Sequence, residues 1–184
     1  MKRPALFFDR DNTLILNDGY LGDPAGVVLV PFAAEAVAQA RAMGFAVVTI
    51  SNQSGVARGM FTEEQVRSVD QRMDELLLQA NPLARIESHE FCPFHPEGVI
   101  EKYRMESDLR KPRPGMLLKA AAALNLDLDE SWMVGDAMRD IEAGHAAGCR
   151  TVLISLRWQP GSIQPTAMVE NLAEAMEFIR GMIA

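Results

Sequence analysis

Asp9 and Asp11 stand one residue apart, directly after the apolar run Ala5–Phe8. Two carboxylates so placed suit a divalent cation, a nucleophile, or both, because hard oxygens hold such ions and an ionised carboxylate attacks electrophilic centres. The alternative is a solvated strand end followed by an Asx-type turn at Asn12. Asp136 also follows an apolar run, and Asp140 lies four residues on, at a helix start. There an acid equally complements the helix dipole. Ser51-Asn52-Gln53-Ser54-Gly55 is either a polar turn or a hydroxyl with main-chain N–H groups fit for phosphate oxygens. Arg110-Lys111-Pro112-Arg113-Pro114 sets three cations before a helix. As a surface patch it is unremarkable; beside the acids, Lys111 would neutralise carboxylates and a bound phosphate together, and an arginine would grip phosphate oxygens bidentately.

These groups act together only if several strand ends meet. The apolar runs Ala5–Phe8, Ala46–Ile50, Trp132–Val134 and Thr151–Ile154 read as buried strands, with Ile86–Phe91 a weaker fifth. Helical segments lie between most of them. Thr62 and Gln65 form a capping box ahead of a helix whose apolar face is Val66, Val69, Met73, Leu76 and Ala80. Other helices are expected over Ala33–Met43, closed by Gly44; Pro114–Leu124; Met138–Ala147, closed by Gly148; and Leu172–Ile183. Arg157–Thr166 reads as a surface loop. Alternation of this kind implies an α/β fold, a doubly wound parallel sheet with helices on both faces. Ligands of such sheets bind beyond the strands' carboxyl ends, where Asp9, Ser51 and Asp136 are expected.

The chain of 184 residues, 48% hydrophobic and 23% charged, suits one domain spanning 1–184. No stretch reaches the roughly 20 apolar residues of a membrane span, and the apolar run near Met1 is too short for a signal peptide. With only Cys92 and Cys149 as cysteines, the expected compartment is the cytoplasm. The net charge of -7 opposes non-specific binding to nucleic acid or anionic membranes. A small phosphorylated molecule is the expected partner, and a monomer is expected over an oligomer.

Asp9-x-Asp11-x-Thr13, Ser51-Asn52-Gln53, Lys111-Pro112 and Gly135-Asp136-(x3)-Asp140 resemble the four ordered motifs of the haloacid dehalogenase (HAD) superfamily of phosphatases. More narrowly, SNQSGVARGMF, CPFHP, RKPRPGML and MVGD resemble the D-glycero-D-manno-heptose 1,7-bisphosphate phosphatases and, more weakly, the histidinol phosphatases. The resemblance implies that Asp9 attacks phosphorus to form an aspartyl-phosphate, while Asp11 protonates the leaving alcohol and then deprotonates the attacking water. It implies Mg²⁺ held by Asp9, the Asp11 main-chain carbonyl and Asp136, with Ser51 and Lys111 stabilising the transferring group and Asp140 orienting Lys111 or a metal-bound water. The implied substrate is the 7-phosphate of a heptose bisphosphate, on the route to lipopolysaccharide and related cell-surface polysaccharide.

About 40 residues separate Asp11 from Ser51 and about 60 separate Ser51 from Lys111, so no cap domain fits. Substrate selection then falls to short loops: Asp18 and Tyr20; Asn52, Gln53 and Ser54 with Arg58 beyond them; and Arg110. Three departures stand out. Asn12 takes the place of a usual glycine, which asparagine's tolerance of left-handed backbone allows. Ala137 replaces a frequent lysine. The subgroup's four zinc ligands, Cys-x-His and Cys-x-Cys, are here Cys92, Phe94, Ser107 and Leu109, so no structural zinc is expected. Phe94, Val99, Ile100, Tyr103 and Leu109 are left to anchor that loop by apolar contact.

Competing readings are a histidinol-phosphate phosphatase, whose cationic substrate would favour an acidic loop; a nucleic-acid end phosphatase, opposed by the acidic charge and the lack of interleaved basic and aromatic residues; and a non-catalytic phospho-ligand binder, which retention of both Asp9 and Asp11 opposes.

Overall fold

The computed structural model describes residues 2–155 and 163–183. The expected loop Arg157–Thr166 lies outside the described residues up to residue 162. The elements run β1 (Arg3–Phe8), α1 (Ala33–Ala42), β2 (Ala46–Asn52), α2 (Glu63–Ala80), β3 (Ser88–Cys92), α3 (Gly115–Leu124), β4 (Leu126–Gly135), α4 (Met138–Ala146), β5 (Arg150–Ile154), β6 (Ala167–Val169) and α5 (Leu172–Ile183). The six strands form one parallel sheet in the order β3-β2-β1-β4-β5-β6. Side chains alternate across it. Leu6, Phe8, Val47, Trp132, Val134 and Val152 face the layer of α1, α2 and α5; Ala5, Phe7, Ala46, Val48, Ile50 and Met133 face α3 and α4. No inserted cap domain, and no helix long and apolar enough to cross a membrane, occurs among the described residues.

The chain order reverses between β1 and β4, and their carboxyl ends open a crevice there. Asp9 follows the first strand and Asp136 the second. The capping box of α2 forms as expected: Gln65 N–H donates to Thr62 Oγ1 (3.2 Å) and Thr62 N–H to Gln65 Oε1 (2.9 Å). Its buried stripe turns differently, however, through Val66, Val69, Asp70, Met73 and Leu77, leaving Leu76 half-buried and Ala80 exposed.

Two strands depart from expectation. β4 is longer than Trp132–Val134, because Leu126–Asp127 pairs with Arg3–Pro4 before a register shift. Pro4 has no N–H to give the ladder; at the shift the Ala5 N–H goes to Ser131 Oγ (2.8 Å) instead. β6 has only three residues, too few to show alternation, and pairs with β5.

Candidate active site

Asp9 continues β1 by donating its N–H to Val134 O (2.9 Å), which turns its carboxylate to the end of the sheet. Lys111 meets it there, almost fully buried. Its ammonium donates to Asp9 Oδ1 and to Ile50 O, each at 2.7 Å, and pairs with Asp140 Oδ1 at 2.7 Å. The Asn52 carboxamide fixes the lysine's main chain from β2, accepting from Lys111 N–H and donating to Lys111 O, both at 3.0 Å. The Lys111–Pro112 peptide is cis. A side chain at Gly135 would overlap the Asp140 carboxylate, so this approach requires glycine. Burial lifts Asp9 to about 7 against the pull of Lys111, and lifts Asp136 with help from Asp140. Burial opposes the charge of Lys111 as well, yet Asp9 and Asp140 together hold its pKa above the usual lysine value.

Asp11 sits in a cage of donors. Asn17 Nδ2 reaches Oδ1 at 2.7 Å, Gln53 Nε2 and Ser51 Oγ reach Oδ2 at 2.7 and 3.1 Å, and Arg10 Nη2 lies 3.2 Å from both oxygens. Burial works to raise its pKa, but Arg10 and these hydrogen bonds win and bring it below the ordinary carboxylate value. Asn12 adopts φ 60°, the left-handed turn that separates Asp11 from the buried Leu14.

Asp9, Asp136 and Asp140 each offer an oxygen within 4.8 Å of the others. Asp9 Oδ2 and Asp136 Oδ1 are buried with no hydrogen-bond partner, a state that hard-oxygen coordination of a divalent cation would satisfy. Asp140 is differently placed: Lys111 and the Ala137 N–H (3.1 Å) already engage its two oxygens. The residues fit a small hard cation.

A cleft of about 270 Å³ opens over Asp9 and Asp11. Tyr20, Ser51, Asn52, Gln53, Ser54 and Arg110 line it, as do Asn17 and Arg139. Asp18 is exposed outside the lining, and Arg58 turns to His95 Nε2 (3.4 Å) and Glu97 (4.0 Å). Asn52 and Gln53 line the cleft with their amides already bonded to Lys111 and Asp11.

The HAD-hydrolase-like family model matches residues 108–175. The D-glycero-beta-D-manno-heptose-1,7-bisphosphate 7-phosphatase of Rhodopseudomonas palustris is 45% identical over 80% of this chain and 81% of its own. That of Escherichia coli K12 is 38% identical over 93% of this chain and 86% of its own. The chain belongs to the D-glycero-beta-D-manno-heptose-1,7-bisphosphate 7-phosphatase family. The crystal structure of a D,D-heptose 1,7-bisphosphate phosphatase from B. bronchiseptica, complexed with magnesium and phosphate, is similar in fold, with a TM-score of 0.83, 27% identity and coverage of 97% of this chain and 99% of that one. A HAD-like phosphatase from Mesorhizobium loti gives a TM-score of 0.86 at 35% identity, covering 98% and 88%.

Sequence reasoning missed Arg10, Asn17, Asp70 and Arg139 at this site of the heptose-bisphosphatase family. For Asp70 a signal existed: a carboxylate on the apolar face of α2. For Arg10 it was a cation wedged between two acids in a strand otherwise buried.

The family resemblance expected apolar anchoring of the loop after β3, and the structure corrects this in part. Phe94 and Tyr103 pair rings at 6.0 Å, Leu109 packs beside Phe94, and the Tyr103 hydroxyl donates to Glu63 Oε1 (2.6 Å). Val99, however, is 69% exposed, and Ile100 is exposed too. Both hold the loop by main chain, their N–H groups donating to Ala57 O at 2.8 and 3.0 Å. Of the four positions only Cys92 offers a thiol, so elemental analysis of untagged protein is expected to find zinc far below one ion per chain. Near-stoichiometric zinc surviving dialysis would refute this.

Proposed function

We propose that this protein is an Mg²⁺-dependent phosphatase that removes the 7-phosphate of D-glycero-D-manno-heptose 1,7-bisphosphate through an aspartyl-phosphate. The observation that carries the reading is the meeting of Asp9, Asp11, Ser51, Lys111 and Asp136 at the β1/β4 crevice in a chain of this family. The Asp9 carboxylate attacks phosphorus in line, and the P–O bond to the sugar breaks. Asp11, held over the cleft, gives the departing oxygen a proton. It then takes a proton from the water that displaces Asp9, and phosphate leaves. Ser51 and Lys111 stabilise charge on the transferring group. Asp9, Asp136 and the Asp11 carbonyl would hold Mg²⁺, with Asp140 fixing Lys111 behind them. The ion would supply charge neutralisation on the phosphoryl oxygens.

Arg110 and Arg139 line the same cleft and suit the phosphate that does not react, whereas a cationic amine such as histidinol's would meet like charge there. The six strands forming one sheet support a single domain over 1–184, and the protein is proposed to act as a monomer. Free, buried Cys92 and Cys149 suit a cytoplasmic enzyme.

Phosphate release is the test. Heptose bisphosphate with Mg²⁺ is expected to be turned over far faster than histidinol phosphate or 3′-phosphorylated oligonucleotides, with activity abolished by EDTA and inhibited by the larger, loosely coordinated Ca²⁺. Activity undiminished in chelator, or preference for another substrate, would sink the reading. Arg110→Ala is further expected to lower kcat/KM by about tenfold or more on the bisphosphate and far less on a monophosphate, because remote binding positions the reacting group. Equal losses would give Arg110 a structural role instead.

A further inference from the structure

Arg10 is the buried cation that the chemistry above leaves unused. It is 1% exposed, an expensive place for a guanidinium, since a buried ion pair seldom adds net stability over apolar packing. Its position therefore asks for another reason. Nη1 donates to Asp70 Oδ1 at 2.9 Å, and Nη2 lies 3.2 Å from each Asp11 oxygen. Asp70 belongs to α2, 60 residues away, at 5% exposure within the helix's apolar stripe. Arg10 is not among the residues lining the cleft, and its two terminal nitrogens are already engaged by Asp70 and Asp11.

We propose that the Asp70–Arg10 pair is a clamp that fixes the Asp11 carboxylate for proton transfer, making Arg10 and Asp70 positioning residues; the proposal rests on the phosphatase reading above. Asp11 directly precedes the left-handed turn at Asn12 and lies beyond the last residue of β1, where the sheet no longer holds it. Asn17 and Gln53 each donate to a single Asp11 oxygen, both at 2.7 Å, and Ser51 cannot be its permanent anchor if that hydroxyl turns to the phosphoryl group. The planar guanidinium can, because its two ends present donors in a rigid geometry and Asp70 anchors the far end to a helix. One turn along α2, Asp74 accepts from the His89 ring (3.0 Å), whose other nitrogen meets Thr49 Oγ1 (2.8 Å), so this side of the helix is also tied to β2 and β3.

A misplaced acid harms only reactions that need one. A sugar alkoxide leaves poorly without a proton; the phenolate of 4-nitrophenyl phosphate leaves without it. kcat/KM reports aspartyl-phosphate formation, the step in which that proton is given. In the Mg²⁺-loaded enzyme, Arg10→Gln is expected to lower kcat/KM on heptose bisphosphate by about 10²-fold and on 4-nitrophenyl phosphate by less than about threefold, the same split as Asp11→Asn. Arg10→Lys, which keeps charge but loses the fork, should recover little. Asp70→Asn should show the split at about tenfold, and it decides the matter should Arg10→Gln fail to fold. Equal losses on both substrates, or a rise in KM with kcat unchanged, would overturn the clamp. A wild-type protein that releases phosphate from neither substrate would instead overturn the phosphatase reading.

Discussion

Asp9→Asn is expected to lower turnover of heptose bisphosphate by at least ~10³-fold, about 4 kcal/mol of barrier, while the fold persists. An amide nitrogen or oxygen cannot form the acyl phosphate that the carboxylate forms. Acid-quenched mass spectrometry should detect one added phosphoryl group on the wild type and none on the variant. A variant retaining a tenth of the rate would remove Asp9 from the role. The same substitution carries an unusual stability signature in metal-free protein. Asp9 is buried, and its pKa of about 7 stands well above the ordinary aspartate value of 3.8. The folded state therefore binds a proton more tightly than the unfolded chain does, so the stabilisation from this group is complete below about pH 4 and is lost as pH rises through about 7. Asn, which never ionises, escapes the loss. In chelator, the Tm of Asp9→Asn should rise relative to wild type as pH increases from about 4 to 7, then level off; a difference constant over that range would contradict it.

The sheet was legible because parallel strands buried on both faces, such as Phe7–Phe8 and Val47–Ile50, are continuous apolar runs bounded by polar tips. The carboxyl-end rule then placed Asp9, Ser51 and Asp136 together without further information. What stayed hidden obeyed tertiary rather than local logic. Leu126–Ser131 does not read as strand, because its charged residues break the apolar run, yet Leu126–Asp127 pairs with Arg3–Pro4 and Ser131 takes up the shifted N–H. Asn52 was read as a substrate ligand from its place in the motif. Its amide is bonded on both sides to the Lys111 backbone, a pairing across 59 residues that no local pattern announces. Arg58 was read from loop position, and its direction was set by His95 on another loop. Arg10 shows the limit most clearly: it lies two residues past β1, and only the packing of α2 reveals that a carboxylate, Asp70, waits for it.

Lys111 is the second position where a large effect is expected. Among the described residues its ammonium is the one cation bonded to both Asp9 and Asp140, each buried, and both at 2.7 Å. Lys111→Met keeps the aliphatic stem and removes only the charge. Two carboxylates would then share a site without a counter-ion, a loss of about 3–5 kcal/mol for breaking a buried pair, or on the order of 10 °C in Tm for a chain of this size. The loss has a pH sign. Raising pH favours the ionised form of Asp9 and deepens the penalty; lowering it lets Asp9, whose pKa is raised by burial and loses the lowering pull of Lys111 in the variant, take a proton and shrinks it. Added Mg²⁺ should shrink it too, since a divalent cation beside Asp9 and Asp136 restores positive charge where the ammonium was. Turnover should not return with stability, because Lys111 is also proposed to stabilise the transferring phosphoryl group, and about 10²-fold or more of the rate should stay lost at saturating Mg²⁺. Thermal melts of Lys111→Met at pH 5.5 and 8, with chelator and with Mg²⁺, separate the two contributions. A variant equal to wild type in Tm under all of these conditions would show that the buried acids do not depend on this lysine.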